Sequence, residues 1–427
     1  MKDFYPLTAT ALRTELNAGR LSSVDLVTAC LSRIAERDDA IGAWAQLEPE
    51  LALAEARAAD AARAAGKSLG ALHGIPVGIK DIIDTADLPT EYGTPAFAGR
   101  RPTADAEVVR RLKAAGAVIL GKTVTTELAF YGPGKTRNPA DLERTPGGSS
   151  SGSAAAVADF HVPLALGSQT AGSIIRPASY CGVFGFKPTF GAVPLQGVLA
   201  QSAPLDTLGG YARSAADLAL LTAVLSGQSC ELQPLPDRPL RLAFVKTPIW
   251  PQGDSAMRDA FERLALRNPT LITEVALPSV FDDTGGLQRA VQFHDIAANY
   301  GGIIEKHGSL ISAKLKEVAA EGRMVSTADY EAALARRDPL YRALAPIFAD
   351  FDAILTPASQ GVAPLGLSAT GSPMFNFLWT YLGVPAVSVP LLQVERLPLG
   401  VQFIGRRGDD ARLLAIADAA MCSLKSS

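Results

Sequence analysis

Histidine and cysteine are scarce in this sequence, and no stretch is long and apolar enough to span a bilayer. The 427 residues hold four histidines and four cysteines. Cys30, Cys181, Cys230 and Cys422 form no CxxC pair, and so few Cys and His residues argue against a zinc site. Scattered thiols of this kind suit a reducing cytoplasm, where disulfides are rare. No run of about 18 uninterrupted apolar residues occurs, which speaks against a transmembrane helix. Met1–Pro6 has no apolar signal-peptide core. A net charge of −3 gives no electrostatic reason to expect nucleic acid or a membrane as partner. The chain therefore reads as cytoplasmic, with neither of those partners.

Hydrophobic residues make up 48% and charged residues 19%, which suits a globular protein with a large core. Ser22-Ser-Val-Asp25 opens a predicted helix whose apolar spacing runs through Ile34. Leu51–Ala65 and Asp105–Ala115 read as helices. His73–Lys80 reads as a turn entering a short strand, and Ala117–Leu120 as a buried strand. Ser153–Asp159 begins a further helix. Gln233–Pro239 is a surface linker between two halves of one fold. Beyond it Leu242–Val245, Ala353–Leu355, Ala386–Val389 and Val401–Ile404 read as strands, and residues 285–350 as mostly helical. Alternating strands and helices predict an α/β layered fold around a largely buried sheet. Gly116–Thr123 matches the P-loop expression GxxxxGK[ST], but its variable residues are strand-forming and its first glycine follows a helix, the wrong order for a phosphate loop.

Chemistry concentrates in three segments. Lys80 lies in the apolar stretch Ile75–Ile83, where a charged amine is costly; its plain reading is an ion pair with Asp81 or Asp84. Gly147-Gly-Ser-Ser-Ser-Gly152 is too glycine-rich for regular structure and leads into a helix N-terminus. By itself it equally suits an anion-binding nest. Ser173 follows Ser149 by 24 residues, behind Thr170-Ala-Gly172. A serine needs a base to act as nucleophile, and a tetrahedral oxyanion needs donors. None of His73, His161, His294 and His307 sits in a turn with an evident triad partner. A lysine can replace histidine as base if burial lowers its pKa.

Lys80 in Gly78-Ile-Lys-Asp81, the loop Gly147–Val157 and the turn Thr170–Ser173 together resemble the amidase signature superfamily. The likeness is strongest over about 70–225, with a variable, helical, substrate-side region at about 285–350. It implies one domain over 1–427, an α/β/α fold around a large mixed, mostly parallel twisted sheet, and a Ser-cisSer-Lys triad. By position Ser173 is the nucleophile, Ser149 the bridging serine with a cis peptide, and Lys80 the base. Backbone N–H groups of Thr170, Ala171, Gly172 and Ser173 form the oxyanion hole. No cofactor or metal is implied.

The chain departs from the common family pattern at Gln169-Thr-Ala-Gly-Ser173, where many members carry Asp-Thr-Gly-Gly-Ser. Ala171 keeps its amide, so the hole survives if the turn needs no positive φ there. Arg176 stands three residues after Ser173, in Arg176–Gly182, and resembles the malonamidase branch. So do Gly78–Ala86 and, more loosely, Ala369–Ser372 and Leu397–Gln402. That branch implies a homodimer and an arginine gripping the carboxylate of a short substrate such as malonamate. A guanidinium fork suits a carboxylate; its plain reading is an internal partner. Gln292 is a candidate second contact. Phe375, Trp379 and Tyr381 read as core residues at near-helical spacing rather than pocket walls. The alternatives are an amidase or deaminase for another small or aromatic-derived amide, a glutaminase component of an amidotransferase, and an inactive binding protein on the same fold.

Overall fold

Eleven strands form one open sheet in a computed structural model that describes residues 4–425. In chain order they are β1 (Trp44–Leu47), β2 (Pro76–Lys80), β3 (Val118–Thr123), β4 (Leu164–Gln169), β5 (Phe184–Lys187), β6 (Thr207–Ala212), β7 (Leu242–Lys246), β8 (Ile272–Ala276), β9 (Ala353–Pro357), β10 (Ala386–Val394) and β11 (Leu397–Ile404). Their spatial order is β1-β3-β2-β4-β6-β5-β10-β11-β9-β7-β8. The predicted strands are all present. The segment resembling a P-loop is β3, fully buried, and not a phosphate loop.

The expected layered α/β architecture is present, but the sheet is not mostly parallel. Six neighbouring pairs are antiparallel and four parallel. A parallel pair needs a crossover, usually a helix. At the centre β6 inserts between β4 and β5, and β11 between β9 and β10, each antiparallel to both of its neighbours. β10 and β11 join through Glu395 and Arg396, both at positive φ (51° and 68°), as a tight hairpin turn requires. β5 reaches its antiparallel neighbour β6 through residues 188–206, which hold no helix.

The helix predicted from Ser22 is capped by the Ser22 side chain and runs Ser23–Ile41, ending at Gly42 in the left-handed region. The helices Ser151–Ala158 and Ile175–Cys181 are buried almost all round, as expected of helices lacking a polar face. They pack on each other, the first against β2, β3, β4 and β6 and the second against β5, β10 and β11. The helices Ala215–Ser226 and Asp410–Lys425 pair and cover β6 and β10. The linker after Ser226 is irregular and mostly exposed, and the strands on either side of it enter the same sheet. Among the described residues no helix is long and apolar enough to cross a membrane.

Candidate active site

Lys80 ends β2 and is wholly buried. Its Nζ lies 2.6 Å from Ser149 Oγ and 2.8 Å from Ser168 Oγ. Neither neighbouring aspartate pairs with it. Asp81 lies 3.3 Å from Lys122 Nζ, and Asp84 takes two hydrogen bonds from Arg100, at 2.7 and 2.9 Å. The plain reading of Lys80 as half of an ion pair is thus replaced by an amine held between hydroxyls. Burial pushes its pKa well below the usual lysine value, opposed only by the charge of Asp206. Asp206 is itself pushed up to about 6 by burial. It accepts from Thr170 Oγ1 at 2.5 Å and from the Gln201 and Ser202 amides at 2.8 and 3.0 Å.

Ser149 follows the glycine pair that the sequence singles out. The Gly148–Ser149 peptide is cis, and Gly147 takes φ +83°. The Gly148 carbonyl accepts from Arg176 Nη2 at 2.6 Å, and the Ser149 carbonyl from the Thr126 amide at 3.1 Å. The helix from Ser151 starts directly behind. No hydrogen bond joins Ser149 to Ser173 among the described residues.

The turn after β4 is held by its carbonyls. Thr170 O accepts from Gln288 Nε2 (3.2 Å), Ala171 O from Thr380 Oγ1 (2.6 Å), Gly172 O from the Arg176 amide (3.0 Å), and Ser173 O from Tyr211 Oη (3.0 Å). Gln169 Oε1 takes the next amides, of Ile174 and Ile175, at 2.8 and 3.0 Å. No group among the described residues accepts from the Ala171, Gly172 or Ser173 amides. Ala171 has no positive φ, so alanine there is unstrained. Gly172 is required for a different reason: a Cβ would stand 2.2 Å from Asn376 Oδ1.

Ser173, Arg176 and Gln292 border one small cavity of about 20 Å³, with Gln201, Phe130 and Tyr131 around them. Arg176 is buried, and burial opposes its charge. One of its nitrogens is committed to Gly148 O and, at 3.2 Å, to Thr370 Oγ1. Its Nε and Nη1 have no partner among the described residues. Gln292 gives its Nε2 to Gln201 Oε1 at 2.7 Å and accepts from Gln288 Nε2 at 3.0 Å. Phe375, Trp379 and Tyr381 are core residues of the helix Met374–Tyr381. No histidine borders the cavity; His161, for instance, is taken by Trp44 and Asp159.

Sequence reasoning missed Ser168, Gln201, Asp206 and the Phe130–Tyr131 wall. Ser168 and Asp206 carry no local motif, and only the pairing of β4 with β2 and β6 brings them to Lys80 and Thr170.

The family model described as Amidase matches residues 25–414. The glutamyl-tRNA(Gln) amidotransferase of Chloroflexus aggregans has a subunit 37% identical to this chain, over 98% of this chain and 96% of that one. A crystal structure of an amidase superposes with TM-score 0.88 at 31% identity, over 96% of this chain and 98% of that one. The peptide amidase of Stenotrophomonas maltophilia does so with TM-score 0.83 at 30% identity, over 96% of each chain.

Proposed function

The chain belongs to the amidase family, and on that premise we propose that it hydrolyses the C–N bond of a small carboxylate-bearing amide, malonamate-like, through an acyl-enzyme on Ser173. The observation that carries the chemistry is Lys80, buried, without a carboxylate partner and 2.6 Å from Ser149 Oγ. A neutral amine there accepts the proton that Ser149 relays from Ser173. Ser173 Oγ attacks the amide carbon, and the amides of Thr170–Ser173 hold the oxyanion, a role supported by their carbonyls being tied elsewhere. Ser149 returns the proton to the leaving ammonia, and water cleaves the acyl-enzyme along the same relay. Ser149 and Ser173 close on each other when substrate binds, since such contacts are often loose without it.

The carboxylate preference rests on Arg176. Its unpartnered Nε and Nη1 beside Ser173 match the paired donors a carboxylate takes. Gln292 is the second contact, with one N–H left after its bond to Gln201. The test is ammonia release from malonamate and succinamate against neutral amides of matched size, with Ser173→Ala as blank. Arg176→Gln should raise KM for the acids by about 30- to 5,000-fold, the equivalent of about 2–5 kcal/mol for a truncated buried charge pair. Equal effects on acidic and neutral amides would remove the carboxylate role and leave the serine chemistry. The relative from an amidotransferase favours a second reading, a glutaminase; glutamine in the same panel, preferred over malonamate, would select it. The homodimer is our proposal too, and light scattering reporting a monomer would end it.

A further inference from the structure

A second cavity, of about 290 Å³, shares no lining residue with the one around Ser173. Phe190, Leu334, Arg337, Asp338, Gly383 and Arg407 border it, so it joins the helix Thr327–Ala343 to the segments after β5 and β11. Arg337 lies over the Phe190 ring, 4.4 Å from its centroid, and gives Nη1 to Pro204 O at 2.7 Å. Its Nε is buried without a partner. Gly383 makes room for this guanidinium: a Cβ there would stand 2.4 Å from Arg337 Nη2. Arg407 lies over Tyr341 at 4.1 Å and gives Nε to Leu382 O at 2.8 Å. Its Nη2, like Arg337 Nε, is buried without a partner among the described residues.

Negative charge is short here. Asp338, the lining carboxylate, binds Arg407 Nη1 at 2.6 Å but is 67% exposed, so water screens much of what it offers. Nearby Lys187 is buried, and among the described residues its Nζ bonds only to Pro188 O, at 2.9 Å. Asp410, the carboxylate that acts on it, is occupied by the amide and hydroxyl of Thr189. Burial and the repulsion of Arg407 push Arg337 down to about 10. Two stacked, pre-oriented guanidinium groups with spare N–H donors are the usual chemistry of oxyanion recognition, and a buried donor left unpaired is costly enough to call for a partner.

We propose that this cavity binds a small oxyanion with paired acceptor oxygens, phosphate or carboxylate, between Arg337 and Arg407. Isothermal titration of inorganic phosphate into the full chain, against chloride at matched ionic strength, tests it, with acetate as the carboxylate arm. Saturable one-to-one binding is expected. Its affinity should fall at least tenfold in Arg337→Gln and Arg407→Gln and persist in Arg176→Gln, which separates this cavity from the one beside Ser173. Saturation by acetate alone would support the carboxylate class. Leu334→Trp fills the cavity while keeping both arginines, and should abolish binding even if an arginine variant fails to fold. Absence of saturable binding by either anion, or affinity unchanged in all three cavity variants, would overturn the proposal.

Discussion

Replacing Lys80 with methionine should move activity and stability in opposite directions. Methionine fills nearly the same space and cannot accept a proton. A positioned base contributes about 100- to 10,000-fold, so turnover should fall by that factor, a barrier increase of about 2.7–5.4 kcal/mol. Stability follows from the burial of the amine. Lys80 is held well below 10.5 in the folded chain. Between that lowered value and 10.5 the unfolded chain binds the extra proton, so wild-type stability rises with pH across this window and the full penalty is felt below it. Each pKa unit of depression costs about 1.4 kcal/mol. Against that, methionine forfeits the bonds to Ser149 and Ser168, about 1 kcal/mol each. Lys80→Met should therefore be at least as stable as wild type at pH 7, with its advantage shrinking towards pH 10. Ammonia release and urea unfolding at pH 7 and 9.5 read both quantities. Turnover within tenfold of wild type would refute the base. A stability loss of about 3–5 kcal/mol at pH 7, the signature of a broken buried ion pair, would refute the uncompensated amine.

Three further outcomes are expected. Ser173→Ala should abolish turnover with an unchanged melting temperature, because the tie from Tyr211 reaches its carbonyl and not its hydroxyl; retained activity would move the nucleophile elsewhere. Gly172→Ala should cost about 1–3 kcal/mol as overpacking against Asn376 and lower kcat, checked by denaturant unfolding and steady-state rates; wild-type unfolding would mean that the turn is softer than its four carbonyl ties suggest. The wild-type kcat/KM should fall as pH drops through the lowered pKa of Lys80, because the protonated amine accepts nothing. A pH profile of Lys80→Met that kept the same acid limb would assign that limb to another group, with Asp206 the first candidate.

Lys80, Ser149 and Ser173 were legible because each sits in a short segment whose composition is unusual for its surroundings. The second hydroxyl partner of Lys80, Ser168, was not. Consecutive residues of a strand point to opposite faces, so Asp81, its nearest neighbour in sequence, was poorly placed to pair with it and instead meets Lys122 from β3. Ser168, 88 residues away, gains its place only because β4 lies beside β2. Six of the eleven strands were readable from apolar runs, but their direction was not, and β1, β4, β5, β6 and β8 went unread. The turn at Glu395–Arg396 carries no glycine or asparagine to announce a hairpin, and the helix-free connection from β5 to β6 carries no signal of its own. Gln201 meets the candidate Gln292 across 91 residues, and its side chain does not stand out in its own segment.

Arg176 gives one nitrogen to the Gly148 carbonyl, the oxygen of the peptide that carries Ser149. An exchange that cannot donate here strips a buried acceptor of its donor and loosens the backbone under the bridging serine. Altering the pocket's taste for charge by mutating Arg176 alone would thus tax the machinery together with the selectivity. Laboratory evolution towards uncharged substrates has a gentler route through the facing wall, at Tyr131, Gln201 and Gln292, where changes leave that peptide's carbonyl satisfied.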